Sequence, residues 1–231
     1  MKDSSLNRFL WLIGLVAAAL IFVSFGPLSS GSPGENASGM TVAHWYNTHV
    51  NAQWASIWMV GLALFLLLIF VTQLRTVLIE AGGQRLWPNM AFASAVILIA
   101  GIIVAGSFEV TIILASHNHD YTVAHFVNFY SANNFLLILA GLDFLTLSVG
   151  LAILLNRAIA PLPKLLGWYS ILVGVIGAAG PLSFFALLGF PIWLLAIGIV
   201  IAVKQSRGTL GGDSGGGASA VRPTAEAVVA A

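Results

Sequence analysis

The sequence predicts an all-α fold: a polytopic membrane helix bundle of six transmembrane helices arranged as three hairpins. Three observations predict it. The composition is 59% hydrophobic and 7% charged, with a mean hydropathy of +0.97, whereas a soluble domain carries roughly 25% charged residues. A surface so poor in charge has to face lipid. Apolar runs recur at about 20 residues, the length that crosses a ~30 Å hydrocarbon layer. Finally, all nine Lys and Arg residues fall in alternate connections.

The first run, Phe9 to Leu28, follows Lys2 and Arg8. It exceeds the apolar stretch of a signal peptide and no A-x-A-like cleavage site follows, so it reads as a retained helix. Trp54 to Leu74, Met90 to Ala115 and Asn134 to Leu155 supply the next three. Leu165 to Val203 is almost purely apolar, too long for one crossing and suited to two, over about 165–183 and 188–203, with a turn between Gly180 and Pro191. Ser170, Gly174 and Ala178 form a small-residue stripe that admits a close neighbour. The six-helix domain is expected over 1–207, and the glycine-rich segment 208–231 as a disordered cytoplasmic tail.

The connections separate by charge. Ser29 to Gln53 and Ser116 to Asn133 hold no Lys or Arg, while the N-terminus, the Arg75–Arg85 and Arg157–Lys164 loops and the tail hold all nine. Short basic loops stay cytoplasmic, which predicts both termini inside and the five histidines outside. The outer segments 41–53 and 121–133 lack Pro and Gly and are expected to form helical extensions, with Trp45, Tyr46, Phe126 and Tyr130 in the interfacial aromatic belt.

An internal repeat underlies the hairpins. Thr41-Val-Ala-His44-Trp-Tyr-Asn47 recurs as Thr122-Val-Ala-His125-Phe-Val-Asn128, and Gly26-Pro-Leu-Ser29 recurs as Gly180-Pro-Leu-Ser183. The first offset also carries helix 1 onto helix 3 and helix 2 onto helix 4.

Candidate chemistry lies on the outer side and at membrane depth. His117, His119, Asp120 and His125, with His44 and His49 from the paired hairpin, offer imidazole and carboxylate ligands for a metal ion. His44 and His125, equivalent in the repeat, are also the pair that would serve as axial haem ligands. Glu109 and Asp143 sit roughly 9 and 14 Å below the outer helix ends at 1.5 Å per residue. No Lys or Arg lies at that depth to pair with them. They are expected close together, with Thr111, Tyr169 and Ser170 as further partners of Asp143. With Asn47 and Asn128 they are the candidate ligand or proton sites.

The chain has no cysteine, which excludes disulfides and thiolate metal centres. A net charge of +1 with scattered basic residues argues against a nucleic-acid partner. No Walker loop, dinucleotide fingerprint, H-E-x-x-H or G-x-S-x-G occurs. In layout, through its hairpin helices, short basic loops and Ala/Gly-rich tail, the whole chain resembles the uncharacterised multi-pass membrane proteins of actinobacteria. That resemblance implies a bacterial plasma membrane. The expected partners are the lipid bilayer and a small molecule or membrane protein. The leading expectation is a small-ligand-binding or transport-like bundle opening outward. A metal- or haem-binding redox protein and a structural or accessory subunit are the alternatives.

Overall fold

A computed structural model describes residues 9–34, 36–80, 84–133, 136–155, 163–178 and 183–206. The expected tail from Gly208 and the basic residues Lys2, Arg8, Arg157, Arg207 and Arg222 lie outside them. Among the described residues the chain is all-helical, with no strand. Its helices are α1 (Leu10–Phe25), α2 (Gly39–Thr48), α3 (Val50–Glu80), α4 (Leu86–His117), α5 (Tyr121–Asn133), α6 (Leu136–Leu155), α7 (Lys164–Ala178) and α8 (Ser183–Ser206). Among the described residues four stretches are long and apolar enough to cross a membrane: Leu12–Ser29, Val50–Glu80, Leu86–His117 and Ile138–Leu155. The apolar helices Lys164–Ala178 and Gly189–Val203 are shorter.

The six apolar helices form a ring in chain order. α1 packs on α3, α3 on α4, α4 on α6, α6 on α7 and α7 on α8, and α8 returns to α1. A single core cluster draws on all six, from Ala18 of α1 through Phe70, Leu98, Leu142 and Val173 to Trp193 of α8. Large apolar side chains such as Trp58, Phe65, Phe144 and Trp168 point outward. That arrangement matches a solvent of hydrocarbon on the flank.

Glycines set the closest approaches. On α6, a Cβ at Gly141 would lie 2.5 Å from Leu98 N, so α6 rests directly on the α4 backbone. At the α6–α7 seam, Gly150 and Gly167 face each other's helix, and Gly174 and Gly177 lie against Asp143. The expected stripe is therefore shifted. Ser170 and Gly174 are buried, but Ala178 is exposed, and Gly167 and Gly177 take the contacts instead.

The last hairpin also differs from expectation. The helices expected over about 165–183 and 188–203 are observed as Lys164–Ala178 and Ser183–Ser206, so residues 184–187, expected between them, belong to α8, and 179–182 lie outside the described residues. α8 runs through Pro191 as helix. Neighbouring helices make such a proline tolerable in an apolar bundle, and here Tyr169 Oη donates to Gly189 O at 3.2 Å beside it.

At the end of the bundle expected to lie outside, here called the outer end, the chain turns into a cap. Ser38 Oγ accepts from Thr41 N and starts α2, and Asp120 Oδ1 accepts from Val123 N and starts α5. α2 packs on α5 and on α4, and is separated from α3 by a break at His49. Val42, Tyr46, Ile112, Ile113, Ala115 and Ala124 make a second, smaller core beneath it.

Candidate functional site

The α3–α4 hairpin is tied at its inner end and open at its outer end. Arg75 Nε donates to Asn89 Oδ1 at 2.9 Å, and its guanidinium lies 5.8 Å from the Phe92 ring centroid. Farther out, α4 is drawn to α6 by the bare backbone of Gly141. The result is a cavity of about 500 Å³ between the outer halves of α3 and α4. Its walls are Ile57, Val60, Gly61 and Leu64 of α3, and Ile102, Gly106 and Glu109 with their neighbours on α4. From Gln53 to Leu64 it runs about 16 Å along α3 at helical rise. The size falls within the range of small-molecule sites.

The ceiling of the cavity belongs to the cap. Trp45 and Tyr46 of α2, with Phe25, Ser29, Ser32 and Gln53, close it from above. Trp45 stacks on His49 with centroids 4.6 Å apart and meets Tyr46 edge-on at 5.0 Å. His49 Nδ1 donates to Trp45 O at 2.9 Å, which fixes the stacked ring. Tyr46 is buried and close enough to Glu109 to sense its charge. Burial first, and the Glu109 carboxylate second, push the phenol above its ordinary range and keep it protonated.

Glu109 is the one carboxylate named by sequence reasoning that lines this cavity, and among the described residues no Lys, Arg or His lines it. Three polar lining groups are committed elsewhere: Ser29 Oγ donates to Ser24 O, Gln53 Nε2 to Leu28 O and Ser107 Oγ to Ile103 O, at 2.8, 3.0 and 3.0 Å.

Asp143 lies apart from Glu109, contrary to the expected pairing. Gly141 meets Leu98, Glu109 stands eleven residues outward of Leu98 and Asp143 two inward of Gly141, which separates the carboxylates by about 20 Å along the bundle. Asp143 is 7% exposed and packs on Gly177. Of its expected partners Thr111 bonds Ser107 O, Tyr169 bonds Gly189 O, and Ser170 bonds Leu166 O while accepting from Trp193 Nε1. Asp143 Oδ1 has no hydrogen-bond partner among the described residues.

The outer His/Asp candidates are dispersed by helix ends. α4 finishes in a Schellman turn: His119 has φ 58°, Asp120 N donates to Ala115 O and His119 N to Ser116 O. The His117-Asn-His-Asp120 string thus spans a reversal, and its side chains leave in different directions. Asp120 caps α5, His119 Nδ1 lies 3.4 Å from Tyr121 Oη, His125 Nδ1 donates to Ala37 O at 2.9 Å, and His44 is exposed. Among the described residues no three His, Asp or Glu side chains gather as a metal set.

Asn47 and Asn128 serve as latches. Asn47 Nδ2 donates to Ser116 O at 3.0 Å, and Asn128 Nδ2 donates to Gly34 O at 3.0 Å. Each amide reaches the chain just ahead of the other outer helix. Sequence reasoning missed the cavity's Gly61, Gly106 and Gln53 and placed Trp45 and Tyr46 in an aromatic belt. The available signal was two glycines in long helices with no small-residue stripe around them. Comparison with family models, curated proteins and solved structures gives no match to this chain.

Proposed function

We propose that this chain is a six-span protein of a bacterial plasma membrane, with both termini cytoplasmic, that binds a small ligand in the Glu109 cavity from the outer side. The observation that carries the reading is the cavity itself. A gap of about 500 Å³ between two helices, with one carboxylate in a mainly apolar described lining, is the usual form of a small-molecule site. The two shorter apolar helices, lying in the same ring as the four long ones, support six crossings. The separation of nine basic residues from five histidines supports the orientation.

The reciprocal Asn47 and Asn128 latches support a duplicated origin for the first two hairpins. So do Ala43 and Ala124, equivalent in the repeat and 1% and 0% exposed. A contact in which each partner uses the same residue on the other is the signature of a two-fold relation. In this reading α2, packed on its repeat partner α5, forms a lid over the cavity, and the third hairpin closes the ring behind it.

Because the natural chain contains no cysteine, single introduced thiols report accessibility cleanly. Gly61→Cys and Gly106→Cys should react with a small membrane-impermeant methanethiosulfonate added outside. Ala95→Cys, at a position fully buried beside α6, should stay inert. Inert thiols at both glycine positions in a folded protein would remove the ligand-site reading.

A further inference from the structure

Resting on the reading of the cavity as a ligand site, we infer that its ligand is a free single-chain organic cation. An ammonium head stands at Glu109 beneath Trp45 and Tyr46, and an alkyl tail lies between α3 and α4. Charge complementarity selects the head. Glu109 is the one carboxylate, and no Lys, Arg or His occurs, among the described lining residues, and a carboxylate in an apolar wall gains most from a cation. Among the described lining residues an anion finds no Lys, Arg or His, and the Ser29, Gln53 and Ser107 donors are turned to backbone carbonyls, which leaves it neutral donors such as Trp45 Nε1 and Tyr46 Oη. The aromatic ceiling adds to the same preference, because the faces of Trp and Tyr attract cations. The stack on His49 and the edge contact with Tyr46 hold Trp45 in place before a ligand arrives.

The shape selects the tail. Below Glu109 the lining is Ile, Val and Leu, down to Leu64 and Ile138. At both Gly61 and Gly106 an added Cβ would meet no heavy atom within 4 Å. These two glycines therefore leave a channel that a side chain would fill, on opposite walls and one turn inward of the carboxylate on α4. A phospholipid amine fits less well, since its phosphate would enter a lining without a basic group.

The experiment uses the full chain carrying Gly106→Cys in phosphatidylcholine nanodiscs, with N-ethylmaleimide labelling timed in the presence of octyltrimethylammonium, octanol or octyl sulfate. The cation should slow labelling at least about fivefold, and the neutral and anionic analogues less than about twofold. Adding Glu109→Gln should raise the half-protecting concentration of the cation about tenfold, the weight of one charge-assisted contact. Gly61→Cys, on the opposite wall, should repeat the pattern and serves if Gly106→Cys does not fold. Equal protection by octanol, or protection unchanged by Glu109→Gln, would overturn the cation inference while leaving a ligand cavity in place. Protection by phosphatidylethanolamine in the disc, with no ammonium added, would overturn it in favour of a lipid. No labelling at either position would instead remove the cavity reading itself.

Discussion

Gly106 and Gly141 invite the same substitution in opposite surroundings. At Gly106 an added Cβ meets nothing within 4 Å. Gly106→Ala therefore only removes the conformational freedom of a helix glycine, and stabilises by about 0.5–1 kcal/mol. At Gly141 the Cβ would sit 2.5 Å from Leu98 N and 2.6 Å from Leu98 Cα. These are backbone atoms of α4 and cannot rotate aside, so α4 has to move off α6, and overpacking of this kind costs about 1–3 kcal/mol. The two variants should thus differ by about 1.5–4 kcal/mol, or roughly 3–16 °C in melting midpoint at 2–4 °C per kcal/mol. Intrinsic tryptophan fluorescence during heating in a single detergent measures this, since Trp193 is fully buried against Phe190. A Gly141→Ala protein that melts with or above wild type would refute the claim that α4 rests on Gly141. Gly106→Ala melting as far below wild type as Gly141→Ala would refute the open cavity.

The remaining predictions concern the deep carboxylate, the latches and the orientation. Gly177→Ala should destabilise, because its Cβ would fall on Asp143 Oδ1, and in an Asp143→Ala background the loss should shrink by about 0.5–3 kcal/mol in a double-mutant cycle. Additive losses would show that the two residues do not touch. Asn47→Ala and Asn128→Ala should each cost about 0.5–1.5 kcal/mol, and hydrogen exchange should quicken in α2 and α5 but not in α7. Uniform quickening would place these amides in the global fold rather than in the cap. Reporter fusions after Gly39 and Asp120 should read external and one after Gln84 internal. A cytoplasmic signal at Gly39 would reverse the orientation.

What the sequence reveals here is composition along the chain, and what it conceals is contact across it. The apolar runs locate every long helix, and the lack of a basic partner at membrane depth singles out Glu109 and Asp143. Helix ends are placed less well. Residues 75–80 continue α3 beyond its apolar centre, and residues 184–187, expected between two helices, are helical in α8 because tertiary packing overrides local propensity. The separation of Glu109 from Asp143 depends on the register of α6 against α4. That register is set where Gly141 meets Leu98, and no periodicity in either helix records it. The His/Asp string illustrates the opposite limit. Closeness in sequence becomes divergence in space once His119 takes a left-handed φ, and Asp120 is then used as a helix cap. Trp45 and Tyr46 look like interfacial anchors from sequence because an aromatic facing lipid and one roofing a cavity have the same composition.

The ring of six helices has five joints made by the chain itself and one, α1 against α8, made only by packing. A Cβ at Gly14 would lie 2.9 Å from the Phe70 ring on one side and 3.3 Å from Leu194 O on the other. Gly14 and Leu194 are 180 residues apart, so during synthesis α1 waits for that length of chain before its second wall arrives. Closure of the ring therefore waits for α8. Until α8 docks, the small-residue face of α1 at Gly14 and Ala17 is open to any other helix in the bilayer. The seam between first and last helices is the place where misassembly, exchange with a neighbouring chain, or surveillance by the insertion machinery would act.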